Sequence, residues 1–182
     1  MQKLGRRYPH CGYGGRFYHW IFGNDPKPYY SFGNGAAMRV SAVGFAARSR
    51  NEVKILSRSV TAISHDHPEG LKGAESVAMA IFLARQNKTK QQIRDYIEQN
   101  YYKIGFTLDE IRGTYEFNET CQNTVPQAFE AFFEAKDFED AIRNAVSVGG
   151  DSDTLAAIAG SIAEAYFGVP FDLRKKAESY ID

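Results

Sequence analysis

The chain has 182 residues, a length typical of one domain, and 43% of them are hydrophobic against 24% charged. This composition supplies a core and excludes wholesale disorder and collagen-like structure. No apolar run approaches the ~18 residues that span a bilayer, and the first ten residues lack the apolar stretch of a signal peptide, so we expect a soluble, cytoplasmic protein without membrane contact. Cys11 and Cys121 do not have the spacing of a zinc site or a disulfide framework.

Charge is distributed unevenly although the formal net charge is zero. Residues 1–60 contain ten Lys or Arg and two acidic residues, a net +8, whereas residues 121–182 contain five and eleven, a net −6. A basic end can attract phosphates and an acidic end can attract a cation. Complementary packing of the two ends explains the same asymmetry, so charge alone assigns no partner.

Residues 1–34 are rich in Gly, Tyr and Phe and contain three prolines, which predicts an ordered loop with short turns. From Gly35 the apolar residues follow helical spacing, so we expect a helical core over residues 35–182. The first helix of this core begins at Gly35, the second follows Asn51 as its cap and runs to about Ile63, and the third begins near Pro68.

Later helix starts are marked by Ser/Thr-x-x-Glu/Gln capping boxes at Thr89, Thr107 and Thr124, and Asp137 is expected to cap a further helix. The last long helix carries an apolar stripe that begins at Leu155. Because no region alternates with period two, the pattern predicts an all-α, single compact domain of about eight helices over residues 1–182. Small residues in the last long helix allow close helix approach.

The sequence Gly149-Gly150-Asp151-Ser152-Asp153-Thr154 stands directly before this last stripe. Residues i and i+2 of a helix point about 200° apart, so Asp151 and Asp153 converge only if Asp151 lies in the non-helical entry that the glycines permit. Two carboxylates and a hydroxyl are hard oxygen ligands, suited to Mg²⁺, Mn²⁺ or Ca²⁺. Simple capping of the helix by Asp151 is the alternative.

A second candidate is Ser31-Phe32-Gly33-Asn34-Gly35, a turn that runs into a helix and could present backbone N–H groups to a diphosphate. An ordinary turn with Asn34 in a left-handed conformation is the alternative. Arg39 could hold an anion or pin a carboxylate inside the fold.

The third candidate is Ser64-His65-Asp66-His67-Pro68-Glu69, which places two histidines before a helix. One histidine would donate to a ligand oxygen, and the other, with Glu69, would fix the helix start.

Together, SFGNGAAMRV, SHDHPEG and GGDSDTLAAIAG closely resemble three sequence blocks, in order, of the ADP-ribosylglycohydrolase family. The resemblance implies an all-α fold around a pair of divalent cations, Mg²⁺ or Mn²⁺. It also implies hydrolysis of the bond between the ribose C1 of ADP-ribose and a protein or small-molecule acceptor. By motif position the metal ligands would be Asp151, Asp153 and Thr154. The ADP-ribose contacts would be Ser31, Phe32, Gly33, Asn34, Gly35 and His65.

One departure from the family pattern qualifies this reading. The resemblance implies an amino-terminal segment with a Thr-Asp-Asp run of further metal ligands and an acidic catalytic residue, and these 182 residues contain no Asp-Asp pair. We therefore expect an amino-terminally truncated domain that is weakly active or inactive alone. A separate chain would supply the missing helices, or the domain would self-associate.

Two other functions stay open from the sequence. The first is a non-catalytic module that binds ADP-ribose or another nucleotide through the GNG turn and His65. The second, which we place behind the others, is a nucleic-acid binder that uses the basic, aromatic front segment for phosphate contact and base stacking.

Overall fold

The structure is a computed structural model and describes residues 1–181. Within these residues the chain forms twelve α-helices, more than the eight or so expected, because several are only one turn long, and no β-strand, which confirms the all-α prediction. In chain order the helices are α1 Gln2–Gly5, α2 Gly15–Phe22, α3 Gly35–Met38, α4 Ser41–Ala46, α5 Arg50–Thr61, α6 Pro68–Arg85, α7 Lys90–Asn100, α8 Leu108–Ile111, α9 Val125–Glu134, α10 Phe138–Ser147, α11 Ser152–Phe167 and α12 Phe171–Glu178.

Helix α6 is the centre of the fold, and α3, α4, α5 and α11 pack around it. Its residues from Ser76 to Ala84 are all buried, which is typical of a helix surrounded by others. Pro68 opens the helix at a position that needs no N–H donor. Asn87, with φ 55°, closes it, because the Asn87 and Lys88 N–H groups return to the carbonyls of Ala84 and Leu83.

Several helix starts match the sequence prediction. Complete capping boxes form at Thr89 and at Thr107, and the Asp137 carboxylate accepts a hydrogen bond from the Asp140 N–H. The cap of α5 is Ser49, whose hydroxyl accepts from the Glu52 N–H, so the prediction of Asn51 as the cap is wrong. Asn51 lies inside the first turn of α5.

The helix predicted from Gly35 is interrupted between α3 and α4, at Arg39 and Val40. Helix α12 was not expected from the sequence. None of the residues of α12 is buried, so the helix lies outside the core.

The front segment corrects the prediction of a loop over residues 1–34, because it contains α1 and the eight-residue helix α2. The Arg6 guanidinium donates to the carbonyls of Ile21 and Gly23 and so satisfies acceptors at the end of α2. Gly5 brings α1 against Ile21, since a Cβ there would lie 2.9 Å from two Ile21 side-chain atoms. Glycine and proline content alone therefore underestimated the local order.

No helix among the described residues is both long and apolar enough to cross a membrane.

Candidate functional site

The acidic turn, residues 149–154, comprises the connection between α10 and α11 and the first three residues of α11. Gly149 and Gly150 have φ of 81° and 61°, in the left-handed region that favours glycine. A Cβ at Gly150 would lie 2.6 Å from the Tyr115 ring and 3.1 Å from the Glu116 carbonyl oxygen, so the turn also needs glycine for space. The two glycines place Asp151 before the first helical residue, as the sequence analysis required for convergence of the carboxylates.

Asp151 is the N-cap residue of α11, but its side chain makes no capping hydrogen bond. Its Oδ2 instead accepts a hydrogen bond of 2.5 Å from Asn34 Nδ2, across 117 positions of the chain. Asn34 is 6% exposed and adopts helical dihedral angles, with φ −64°, instead of a left-handed conformation. The GNG turn and the acidic turn therefore meet directly.

Asn34 is also held by the segment 118–124. Its amide donates to the Asn118 carbonyl at 3.3 Å and to the Thr124 hydroxyl at 3.1 Å. Gly33 and Thr120 form an antiparallel bridge, in which the Asn34 N–H donates to the Glu119 carbonyl at 2.7 Å. This bridge ties the GNG turn to the segment 118–124.

The carboxylates of Asp151 and Asp153 interact electrostatically. Burial raises the pKa of Asp151, and Asp153 raises it further, against the hydrogen bonds from Asn34 and Thr154 that lower it. The pKa of exposed Asp153 is lowered, because a protonated Asp151 and the Thr154 N–H can donate hydrogen bonds to its charged form. As the pH falls, Asp151 therefore takes up the first proton of the pair.

Thr154 is 6% exposed and lies on the first turn of α11. Its hydroxyl lies 3.5 Å from Met38 Sδ, a weak acceptor. Its N–H donates to Asp153 Oδ1 at 2.9 Å. The carboxylate of Asp151 and the hydroxyl of Thr154 thus lie on the side of α3 that carries Asn34 and Met38.

The acidic turn offers two carboxylates and one hydroxyl, which are the type of ligand that a hard divalent cation prefers. Six oxygens surround such a cation in full, so these three residues supply half of one shell. Among residues 1–181, no group of three or more His, Cys, Asp or Glu side chains is arranged to hold a metal ion. Metal binding by Asp151, Asp153 and Thr154 stays a prediction.

The N–H groups of the GNG turn are partly engaged. The Gly33 N–H donates to the Ser31 hydroxyl at 3.2 Å, and the Asn34 N–H is used by the bridge to Glu119. The expected array of free donors is therefore smaller than the sequence suggested. The Phe32 ring is 40% exposed beside this turn, with its centroid 5.1 Å from that of the His67 ring.

His65 lies under the GNG turn and is 5% exposed. Its Nδ1 is 2.8 Å from the Ser64 hydroxyl, and its Nε2 faces Gly33. Burial lowers the pKa of His65 to about 4, and the positive charge of Arg39 lowers it as well. At neutral pH the imidazole is uncharged, so it can donate or accept one hydrogen bond at Nε2.

His67 performs the structural role expected of the second histidine. Its Nδ1 accepts the Glu69 N–H at 3.0 Å and caps α6. The Glu69 carboxylate forms an ion pair with Lys72.

Sequence reasoning missed residues that position the site from a distance. Thr124 was expected to open a capping box, but its hydroxyl donates to the Asn118 carbonyl and accepts from Asn34 instead. Gly70 allows α6 to approach the GNG turn, since a Cβ there would lie 2.7 Å from the Ser31 carbonyl oxygen. Asp66 accepts the N–H of Tyr30, which has φ 54°. No local pattern marks these roles, because each partner is distant in the chain.

Replacing Asn34 by aspartate is expected to destabilise the fold by about 2 to 3 kcal/mol. The substitution Asn34→Asp removes the amide that donates to Asp151 and to the Asn118 carbonyl. It also places a carboxylate against these two acceptors. Asn34→Ala, which removes the bonds without adding charge, should cost less. Urea denaturation at pH 7 measures both, and an Asn34→Asp variant as stable as wild type would contradict the described contact.

The family model described as ADP-ribosylglycohydrolase matches residues 4–179 of the chain. ADP-ribosylhydrolase ARH3 of Homo sapiens is 29% identical over 199 residues, which cover 82% of this chain and 55% of the relative. An uncharacterized protein of Archaeoglobus fulgidus is 29% identical over 157 residues, with coverage of 75% and 50%. A solved structure described as an ADP-ribosylglycohydrolase-related protein complex matches with a TM-score of 0.73 at 23% identity and covers 98% of this chain and 68% of its own.

The chain thus spans about half the length of the curated relatives it matches. The structural match shows a shared helical fold, as the three sequence blocks implied. The family model extends from α1 to the end of α12 and includes the GNG turn, His65 and the acidic turn. The chain belongs to the ADP-ribosylglycohydrolase family.

Proposed function

We propose that this chain contributes the ADP-ribose contacts and part of the metal site of a hydrolase that cleaves the C1 linkage of an ADP-ribosylated protein or small molecule. The observation that carries the proposal is the hydrogen bond of 2.5 Å between Asn34 and Asp151. It joins the turn that would hold the diphosphate and distal ribose to the turn that would hold the cations.

The residues would divide the work by their chemistry. Asp151, Asp153 and Thr154 would hold Mg²⁺ or Mn²⁺, which when bound supplies positive charge that orients the ribose hydroxyls and activates water near neutral pH. Asn34 orients the Asp151 carboxylate. Neutral His65 would contact the ADP-ribose at Nε2, beside Ser31 and Gly33, and Phe32 would cover the ligand from its exposed side.

The chain alone should hydrolyse such substrates weakly or not at all. Three oxygen ligands from one turn leave half of a six-oxygen shell to water or to another polypeptide, which lowers metal affinity. The catalytic acid would then come from that other polypeptide as well. A non-catalytic ADP-ribose-binding module is the second candidate, and the small ligand set at the acidic turn supports it.

Turnover measurements test the proposal. We expect slow Mn²⁺-dependent release of ADP-ribose from ADP-ribosylated serine or arginine peptides, and faster release when a polypeptide with a Thr-Asp-Asp segment is added. The isosteric variant Asp151→Asn keeps an acceptor for Asn34 but loses a charged ligand. It should weaken Mn²⁺ binding in calorimetry by at least ~10-fold, the size reported even for residues outside the coordination shell.

The outcomes separate the candidates. ADP-ribose binding without turnover under either condition would favour the binding module over the hydrolase. A flat thermal shift with ADP-ribose, with or without Mn²⁺, would contradict both.

A further inference from the structure

A cavity of about 580 Å³ opens beside the segment that connects α3 to α4. Its wall includes Ala36 of α3 and the two connecting residues, Arg39 and Val40. Neither Asn34 and Met38, which meet the acidic turn, nor any residue of that turn lines the cavity. Its volume is that of a small-molecule site.

Arg39 supplies the positive charge of this cavity. No hydrogen bond or ion pair within residues 1–181 involves its guanidinium. Solvent reaches the side chain through the cavity mouth, yet burial lowers the pKa of Arg39, and no carboxylate opposes that effect.

The guanidinium is held between two neighbours. Its Cζ lies 4.7 Å from the centroid of the Phe17 ring. Gly35 makes room for it on another side, since a Cβ there would lie 2.6 Å from Nη1. These contacts restrain the group but use none of its N–H donors, which form a planar fork suited to a carboxylate.

The rest of the wall is mostly apolar. Trp20, Val60 and Ile63 contribute large apolar surfaces, and the Trp20 indole N–H donates to the Ile63 carbonyl at 2.9 Å, which fixes the ring. Neutral His65 adds no charge, and no acidic residue lines the cavity among the described residues. The cavity therefore offers one unpaired positive charge, that of Arg39, beside a mostly apolar wall.

We propose that this Arg39 cavity is a second ligand site, distinct from the acidic turn, which binds a small amphiphilic monocarboxylate. The carboxylate pairs with Arg39, and the apolar body lies against Trp20 and Ile63. A single guanidinium neutralises one charge, so a monoanion fits better than a diphosphate. Apolar walls favour a hydrocarbon body over a polar one.

Trp20 is the only tryptophan of the chain, so its fluorescence reports on the cavity directly. The probes are 4-phenylbutyrate, 4-phenylbutanol and 4-phenylbutylamine, which share one apolar body. We expect saturable binding of the carboxylate and binding at least ~10-fold weaker for the other two, since a charge-assisted hydrogen bond contributes about 1.5 to 3 kcal/mol. Equal binding of the three probes would overturn the proposal.

Two sets of variants locate the site. Arg39→Lys keeps the charge but loses the fork, and Arg39→Met loses both, so binding measured by calorimetry should fall in that order. Ile63→Glu places an acid at the cavity mouth and should abolish binding. The matched control Ile55→Glu alters an exposed residue of α5 that does not line the cavity, and should bind like wild type.

Because the surface residues Ile63 and Ile55 can be changed without disturbing the core, this pair decides the question even if the Arg39 variants fail to fold. Loss of binding in both glutamate variants, or in neither, would contradict the location.

Discussion

Replacing Gly44 by alanine is expected to lower the free energy of unfolding by about 2 to 3 kcal/mol. Gly44 lies on α4 where it crosses α6, and an added Cβ would lie 2.5 Å from Ile81 Cβ and 2.7 Å from the Ala78 carbonyl oxygen. Both atoms belong to the buried central helix and cannot move aside, so the helices must separate. Alanine's better helix propensity, worth up to about 1 kcal/mol, offsets only part of this cost.

Gly160 provides the matched control for this prediction. It is also a buried helical glycine, but its added Cβ would meet only the end of the Ile142 side chain, at 2.6 Å from Cδ1. That methyl group can rotate away, so Gly160→Ala should change stability by no more than about 0.5 kcal/mol. Urea denaturation curves compare the two variants at constant slope. Equal losses in both would contradict the rigid crossing of α4 and α6.

The free energy of unfolding is expected to fall between pH 7 and pH 4, because burial of His65 disfavours its protonation in the folded state. The pKa of His65 is about 4 in the folded state, against 6.5 for the free side chain. Below pH 6.5 the unfolded chain binds a proton that the folded chain does not, so the stabilisation is complete above pH 6.5 and is lost as the pH falls toward 4. The difference corresponds to about 3 kcal/mol at most.

His65→Gln removes the titrating group and should flatten this part of the pH dependence. His10→Gln is the control, because His10 is exposed on the front segment and should leave the wild-type curve unchanged. Chemical denaturation at half-unit pH intervals measures the three proteins. An equally steep fall in the His65→Gln variant would show that another group causes it.

Local signals predicted the helices where the partner residues are close in the chain. The capping boxes of α7 and α8 and the cap of α10 formed as expected, because each bond joins residues three positions apart. The wrong cap of α5 could have been avoided, since Ser49 and Glu52 form the same Ser-x-x-Glu pattern. At Thr124 the local pattern is also present, but distant partners compete for the hydroxyl and prevail.

In the candidate site, too, local features could be predicted from the sequence and tertiary contacts could not. The two glycines before Asp151 indicated a non-helical entry, and the positive φ angles of Gly149 and Gly150 agree with it. The partner of Asp151 could not be predicted from spacing, because Asn34 reaches it through tertiary packing alone. The front segment was misjudged for a related reason, since α2 is stabilised by Arg6 and Trp20 contacts made with other parts of the chain.

The side-chain amide of Asn34 has two hydrogens but three acceptors within 3.3 Å, on Asn118, Thr124 and Asp151. Two of these acceptors suffice to keep both hydrogens engaged. In the proposed metal site Asp151 would turn toward the cation, and the amide could then shift to Asn118 and Thr124 and leave no orphaned donor behind. The spare acceptors on Asn118 and Thr124 would therefore let Asp151 change partners without leaving the buried Asn34 amide unsatisfied.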